Sequence, residues 1–575
     1  VARTAARFLL IAGALAATVP AGLQAQDAPA QAPVASEAAN SGALIDQKTL
    51  PTAIELKGPR PKADPSVLPP AATTLPEALS PLQAPPSLAL PDKPSQVRIR
   101  ELRPLTLAES EQLMEVNNPS LKAAASQVEQ AKSALLAEIS LWYPTVNLSA
   151  NGLPQYLAAD QYRNPDFAPT FNPSTGAPST APYTTSSQWT ANFAAQVQWN
   201  LIDPKRVPRI AAARDNFERA RDAYLIALRD RRLETAESYF DLQRADEQVR
   251  IGQQSVRASL VSLKDARARF QAGVATKLEV LEAETQLARD QQVLTNGIGF
   301  QNKTRRSLAG LLDLPQDVTP TAASPSQVIG VWQPSLQESI VAAFAFREEL
   351  DQLILDISIN NSNANAALAA VQPVLSLVNT FSTARFQGQT NVVSPVDMDD
   401  YGWNANNTVG LNATWNIFDG GRARAEYRRN KQRAEESAFN FASTRDRIRV
   451  QVEESFYNLR TANQDIFTTS REVLSARESL RLARLRFQAG VTTQREVVDT
   501  QRDLTQAEVR YADAINTYNK SIAQLRRRTG LDQVKACQPQ NLPAAKPAED
   551  DAYTVPIEPS PNRPACQAMA SAAKG

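Results

Sequence analysis

Apolar and polar residues alternate one by one in two pairs of short stretches. Phe193, Ala195, Val197, Trp199 and Leu201 are interleaved with Ala194, Gln196, Gln198 and Asn200. Val409, Leu411, Ala413, Trp415 and Ile417 are interleaved with Gly410, Asn412, Thr414 and Asn416. Partner stretches lie at 146–150 and 375–381. Period two predicts strands with one apolar and one polar face. Elsewhere the period changes. Phe217, Ala220, Tyr224, Leu228, Thr235, Tyr239 and Leu242 recur at threes and fours with Arg, Asp and Glu between them. This is a coiled-coil-like seam. It belongs to a predicted helix over 205–270 that has no strong break after Pro208, and a second such helix covers 422–487. At 1.5 Å per residue, ~65 residues span roughly 100 Å. A Gly follows each long helix, at Gly273 and Gly490, and a return helix is predicted over 276–312 and over 493–528. Arg526, Arg527 and Arg528 before Gly530 are a favourable helix ending rather than a nucleic-acid patch.

These elements come twice. Residues 238–314 return without a gap as 455–531, so that Phe270 matches Phe487 and Gly273 matches Gly490. Upstream, Trp199 and Asp203 match Trp415 and Asp419, and the stretch 118–144 matches 347–373. A repeat of this length means a fold made of two like halves. Between Pro144 and Trp199 the first half is about a dozen residues longer than the second, which marks an exposed loop.

The polar face of the predicted strands is Asn, Gln, Ser and Thr, almost without charge. A soluble sandwich shows the same alternation. An uncharged polar face suits a water-filled lumen, and strands of ~10 residues cross a bilayer at a tilt. Tyr183, Trp189, Tyr401 and Trp403 mark one end and Trp199 and Trp415 the other, as interfacial girdles do. The stretches 153–188 and 383–402 between paired strands read as loops facing outside the cell. Two hairpins cannot close a barrel, and an open edge in lipid is not viable. Closure needs at least about 8 strands. The chain must therefore assemble, as a dimer of 8 strands or a trimer of 12.

Composition narrows the function. The chain has 575 residues, 61 Lys and Arg against 60 Asp and Glu, and a formal net charge of +1. No bulk field favours nucleic acid. There is no histidine, and the two cysteines, Cys537 and Cys566, lie in the C-terminal tail. Ser-His-Asp, Cys-His and zinc constellations are thereby excluded, no phosphate-cradling glycine loop exists, and no enzyme is expected. In an oxidising compartment the two cysteines either pair or stay free, and the sequence leaves both open. Arg3 and Arg7 precede the apolar run 8–17 and small residues through Ala25. This reads as a secretory signal peptide over 1–25, with no cysteine after it for a lipid anchor. The Pro- and Ala-rich stretch 26–104 reads as a disordered leader. The body divides into a first repeat over 105–330 and a second over 331–535. A Pro-rich tail follows over 536–575.

With Asn118, Pro119 and Leu121 opening the first half, Pro144 and Pro373 at the helix-to-strand passage, and the two Arg-Phe-Gln-Ala-Gly turns at 269–273 and 486–490, the chain resembles the TolC-like outer-membrane efflux protein family. The resemblance covers about 105–535, and its specificity lies in the doubled order of these motifs. It implies a mainly α-helical fold with a transmembrane β-barrel. Three chains would close a 12-stranded barrel above a long helical tunnel. The implied role is a channel of a tripartite efflux or type I secretion system, in the outer membrane with its helical body in the periplasm. The implied partners are two further copies of the chain, a periplasmic adaptor, an inner-membrane pump or ATP-driven transporter, and lipid, with no cofactor. Acidic residues follow each turn, Glu279 and Glu282, then Glu496 and Asp499, and all four are candidates for the periplasmic gate. Spacing of three puts each pair on one helical face, where acids also stabilise a helix N-terminus. By resemblance the second pair rings the periplasmic constriction, with Glu496 where Asp is familiar and Thr492 where some members carry a latching Arg. Phe270, Gly273, Phe487 and Gly490 are the expected adaptor-docking tips, and Trp189, Trp199, Trp403 and Trp415 the expected aromatic girdle. The rival reading, a secreted or periplasmic coiled-coil scaffold, explains the helices but not the uncharged alternating strands.

Overall fold

The computed structural model describes residues 71–162, 170–171, 178–179, 183–389, 400–532 and 534–535. The expected signal peptide, the expected leader before residue 71, both cysteines and the C-terminal stretch after residue 535 lie outside the described residues. In chain order the elements are β1 (Glu101–Leu105), α1 (Leu107–Asn117), α2 (Pro119–Ile139), β2 (Thr145–Tyr162), β3 (Thr170–Phe171), β4 (Pro178–Ser179), β5 (Tyr183–Ile202), α3 (Arg206–Gln271) and α4 (Lys277–Leu311). There follow β6 (Val318–Ala322), β7 (Val331–Trp332), α5 (Leu336–Phe346), α6 (Glu348–Leu368), β8 (Val374–Gln389), β9 (Asp400–Thr414), α7 (Arg422–Gln488), α8 (Gln494–Thr529) and β10 (Val534–Lys535). The run α1, α2, β2, β5, α3, α4 thus returns as α5, α6, β8, β9, α7, α8. The long helices hold 66 and 67 residues.

Local chemistry explains where these helices begin and end. Thr106 and Glu109 form a capping box at α1, and Ser335 and Glu338 form one at α5. Asn118 accepts from the backbone of Ser120 and Leu121, with Pro119 in the first turn of α2. The matching Trp and Asp residues of the two halves mark the passage from strand to long helix. The indole N–H of Trp199 donates to Trp142 O at 3.0 Å, and that of Trp415 donates to Val371 O at 3.0 Å. Asp203 accepts from Lys205 N at 3.0 Å, and Asp419 accepts from Gly421 N and Ala423 N at 3.0 and 2.7 Å. Each strand pair is thereby tied to its own helix pair.

Two cores sit midway along the long helices. One gathers Leu105, Leu113, Met114, Tyr239, Phe240, Leu308 and Leu312; the other gathers Trp332, Phe346, Ile466, Ile515, Tyr518 and Leu525. Short sheets flank them: β1 runs parallel to β6, and β7 antiparallel to β10. Leu79 and Leu82 also enter the first core, at 2% and 3% exposure. Asn117 fixes them, donating to Leu82 O at 2.9 Å and accepting from Ala84 N at 3.1 Å. The disordered leader expected up to residue 104 is therefore replaced, from Ala71 on, by a segment that packs into the core and ends in β1. Two buried leucines each contribute ~1.5–3 kcal/mol, and together with the hydrogen bonds to Asn117 and from Ala72 N to Glu115 at 2.6 Å they anchor a Pro-rich strap whose average composition suggests otherwise.

The strands form one antiparallel sheet in the order β2-β5-β8-β9. They run 18, 20, 16 and 15 residues, longer than the alternation alone predicted. Most described residues in the expected loops 153–188 and 383–402 are consequently strand. The register of β2 against β5 shifts by two residues between Asn151 and Gln155, which keeps the faces, and the ladder continues outward to the pair Tyr162 and Tyr183. Trp415 and Ile417 lie beyond the end of β9. No helix among the described residues is long and apolar enough to cross a membrane.

Candidate gate, tips and membrane belt

Both tips end in the same left-handed turn. Gly273 and Gly490 have φ of 72° and 73°. At the first tip Gly273 N donates to Phe270 O and Val274 N to Arg269 O, both at 3.0 Å. At the second, Gly490 N donates to Phe487 O at 3.0 Å and Val491 N to Arg486 O at 2.9 Å. These paired bonds are the Schellman ending of a helix, and they explain why a Gly follows each long helix. A Cβ at either Gly meets no atom within 4 Å, so the backbone angle, not crowding, selects glycine.

The two tips differ in their side chains. Phe270 is exposed, whereas Phe487 is half-buried against the apolar cluster that includes Ala483 and Val497. Arg269 lies over the Phe487 ring at 4.3 Å and donates to Phe487 O at 3.4 Å. Of the expected docking tips, Phe270, Gly273 and Gly490 are open, and Phe487 is half-covered by the other hairpin. An open groove of about 730 Å³ runs between the hairpins here, lined by Arg257, Arg269, Arg484, Phe487, Gln494 and Gln501. Gln494 is buried and donates to Ser262 Oγ, and the hydroxyls of Ser255 and Thr505 meet at 3.1 Å.

The acidic pairs also part company. Glu279 accepts from Thr276 N at 3.3 Å and Thr276 Oγ1 from Glu279 N at 3.4 Å, a capping box at the start of α4. Thr493 and Glu496 repeat that spacing without the box. Glu496 turns instead to Arg486 Nη1 at 2.9 Å and accepts from the Thr492 hydroxyl. Asp499 lies between Arg495 Nε at 3.9 Å and Arg502 Nη1 at 3.7 Å. Glu282 is half-buried one turn beyond Glu279. The sequence reading named the acids but missed Arg486, Arg495 and Arg502. The last two stand four before and three after Asp499, a spacing that was there to be read.

A buried ionic cluster was also missed. Arg229 of α3 meets Glu348 of α6 at 2.6 Å and donates to Phe346 O at 2.7 Å. Glu349 meets Arg347 at 2.9 Å and Arg527 at 2.8 Å, and Arg527 meets Asp230 at 2.5 Å. The cluster joins α3, α6 and α8. Its residues are far apart in sequence, so no local pattern announces it.

On the sheet, the register sorts side chains to two faces. Val146, Leu148, Val197, Trp199, Leu377, Phe381, Val409 and Leu411 share one; Asn147, Ser149, Gln196, Gln198, Ser376, Thr380, Thr408 and Asn412 share the other. The apolar face is uncovered, with Leu148 82% and Leu411 66% exposed. Tyr156, Trp189, Gln387 and Tyr401 oppose one another in one row across all four strands. Trp403 opposes Arg385 in the neighbouring row, and Trp199 lies toward the other end. Trp189 and Trp199 are about ten residues apart, or ~33 Å along the strand, which projects to ~25 Å at a 35–45° tilt. That is the height of an outer-membrane apolar band.

The comparisons agree with this geometry. The outer membrane efflux protein family matches residues 112–313 and 340–531. The pyoverdine export outer membrane protein OpmQ of Pseudomonas putida is 25% identical over 410 residues, covering 70% of this chain and 80% of its own. The open-state MtrE outer membrane channel of Neisseria gonorrhoeae superposes with a TM-score of 0.54 at 16% identity, covering 81% of this chain and 100% of its own. The CmeC outer membrane channel of Campylobacter jejuni superposes with a TM-score of 0.55 at 18% identity, covering 78% of this chain and 94% of its own. The two hairpin-and-strand halves, the doubled glycine turns and the matched stretches together place this chain in the outer membrane efflux protein family, a family of outer-membrane transport channels rather than enzymes.

Proposed function

We propose that the chain is the outer-membrane duct of a tripartite efflux or type I secretion system, with its helical body in the periplasm. One observation carries this reading. The four-stranded sheet has an uncovered apolar face, an uncharged polar face, and outer strands β2 and β9 with no further partner among the described residues. In lipid such edges must be paired. Three copies, joined β9 to β2, give a closed barrel of 12 strands with the polar face inward. Exposed apolar residues of the long helices, such as Phe439, Val450 and Tyr457, would face neighbouring copies in the tunnel below.

Within this reading, Glu496 and Asp499 line the periplasmic constriction. Phe270, Gly273 and Gly490 offer the adaptor its docking surface, with Phe487 contributing its exposed edge. Trp189, Trp199, Trp403 and Trp415 form the girdles. OpmQ bears the name of a pyoverdine export outer membrane protein, which supports an export role here. A lumen of Asn, Gln, Ser and Thr suits passage without capture. Sedimentation of the purified protein in detergent should give about three times the chain mass. A stable, folded monomer in bilayer-like detergent would end this reading, as would trimers that carry no current in planar bilayers.

A further inference from the structure

The apolar face of the sheet carries a cation that the channel reading does not use. Arg385 of β8 opposes Trp403 of β9. Its Nη2 donates to the hydroxyl of Tyr401, and its guanidinium carbon lies 5.5 Å from the Tyr401 ring centre. Beside it on the same face, Tyr156 and Trp189 stack at 5.1 Å. Arg385 is exposed, and it has no carboxylate partner among the described residues. Asp160, the other described strand charge on this face, opposes Thr185, beyond the Tyr156–Trp189 pair.

We propose that Arg385 and its aromatic neighbours bind the phosphate of an anionic lipid at the loop end of the barrel. The proposal rests on the channel reading, which turns this face toward lipid. An Arg among interfacial Trp and Tyr residues sits at headgroup depth, where its cost is small. The hydroxyl of Tyr401 takes one of its five N–H groups. The remaining fork matches phosphate oxygens, and its charge complements an anionic headgroup. Trp403 and Trp189 supply flat apolar walls for the glycerol or sugar carrying that phosphate. A soluble anion would gain no such wall, so the site selects a membrane lipid.

The test uses the full-length trimer in neutral detergent. Phosphatidylglycerol, phosphatidylcholine or inorganic phosphate is titrated in, and retained ligand is counted by native mass spectrometry. Wild type should hold phosphatidylglycerol in preference to phosphatidylcholine. Arg385→Gln should raise its half-saturating concentration about fivefold, as expected for removing one interfacial cation. Arg385→Lys, which keeps charge but loses the fork, should fall between. Equal retention by wild type and Arg385→Gln overturns the site, and so does equal retention of the two lipids. Retention of inorganic phosphate alone at the same concentration assigns it to a soluble anion and overturns the lipid assignment. Should Arg385→Gln fail to assemble, the Lys variant and the wild-type headgroup preference decide. A wild type that forms trimers and inserts into bilayers without lipid preference refutes only this site. One that stays monomeric refutes the channel.

Discussion

Glu348 and Glu349 are adjacent, both largely buried, and driven in opposite directions. Burial pushes the Glu348 carboxyl up to about 7 even though Arg229 lies 2.6 Å away. Burial works against Glu349 too, but hydrogen bonds from Arg347 and the charge of Arg527 overcome it and hold this carboxyl down to about 2. For Glu348 the folded chain binds its proton more tightly than the unfolded chain, so its contribution grows as pH falls through 7 and is complete near 4.5. For Glu349 the contribution is present above about 4.5 and is lost as pH falls toward 2. The stability gap between wild type and Glu348→Gln should thus move in favour of wild type between pH 8 and pH 5.5, by about 2 kcal/mol. Denaturation midpoints of both proteins across that window check this, and a constant gap sinks it. Such residues are hard to read from sequence. Glu348 and Glu349 look alike in the chain, and only the fold brings Arg229 to one and Arg527 to the other. The Glu496–Arg486 pair is milder. It is partly exposed and, as such pairs do, contributes about 0–1 kcal/mol, and its interest lies in where it holds the carboxylate.

Among the elements, helices were legible and strands less so. The seam of apolar residues at threes and fours predicted long helices over 205–270 and 422–487, and α3 and α7 match those bounds within a residue. The tip glycines supplied the ends, because a helix that stops at a left-handed residue announces it with Gly. Strand lengths were underestimated because the ladder needs only backbone, and the outer halves of β5 and β9 carry polar residues on both faces. The strap with Leu79 and Leu82 was missed for a related reason: two anchors are invisible in an average over a Pro-rich stretch. The tips allow a local test. Gly490→Ala should cost ~1–2 kcal/mol, since Ala must adopt φ near 73° there. Asn, which tolerates that region, should cost less. Hydrogen exchange at the amides of Gly490 and Val491, which close the turn, should accelerate in the order Gly, Asn, Ala. Equal protection in all three would show that the turn does not depend on glycine.

At the scale of the assembled molecule the acidic residues acquire their proposed meaning. In one chain Glu496 is a half-buried carboxylate bound to Arg486 and Thr492, and Asp499 is one carboxylate between two arginines. Neither would draw notice as a site. In the proposed trimer a threefold axis would repeat both around one pore, where at close range like charges add while their bound arginines subtract. Two changes should therefore act in opposite senses. Glu496→Gln with Asp499→Asn removes acid and leaves Arg486, Arg495 and Arg502 in place, so cation selectivity should fall and block by divalent cations should weaken. Arg486→Gln removes the partner and frees Glu496, so selectivity for cations should rise. Neither change touches a core or a strand edge, so trimers should form in both cases. Thr276 and Glu279 provide the internal control. Glu279→Gln disturbs a capping box rather than the second acidic pair, so it should shift stability by about 1 kcal/mol or less and leave selectivity nearly unchanged. Reversal potentials in salt gradients, recorded from single channels of the wild type and the three variants, separate these expectations. Were the double change and Arg486→Gln to shift selectivity in the same direction, the charge at this turn would not be acting on permeating ions. The constriction would then lie elsewhere along the helices.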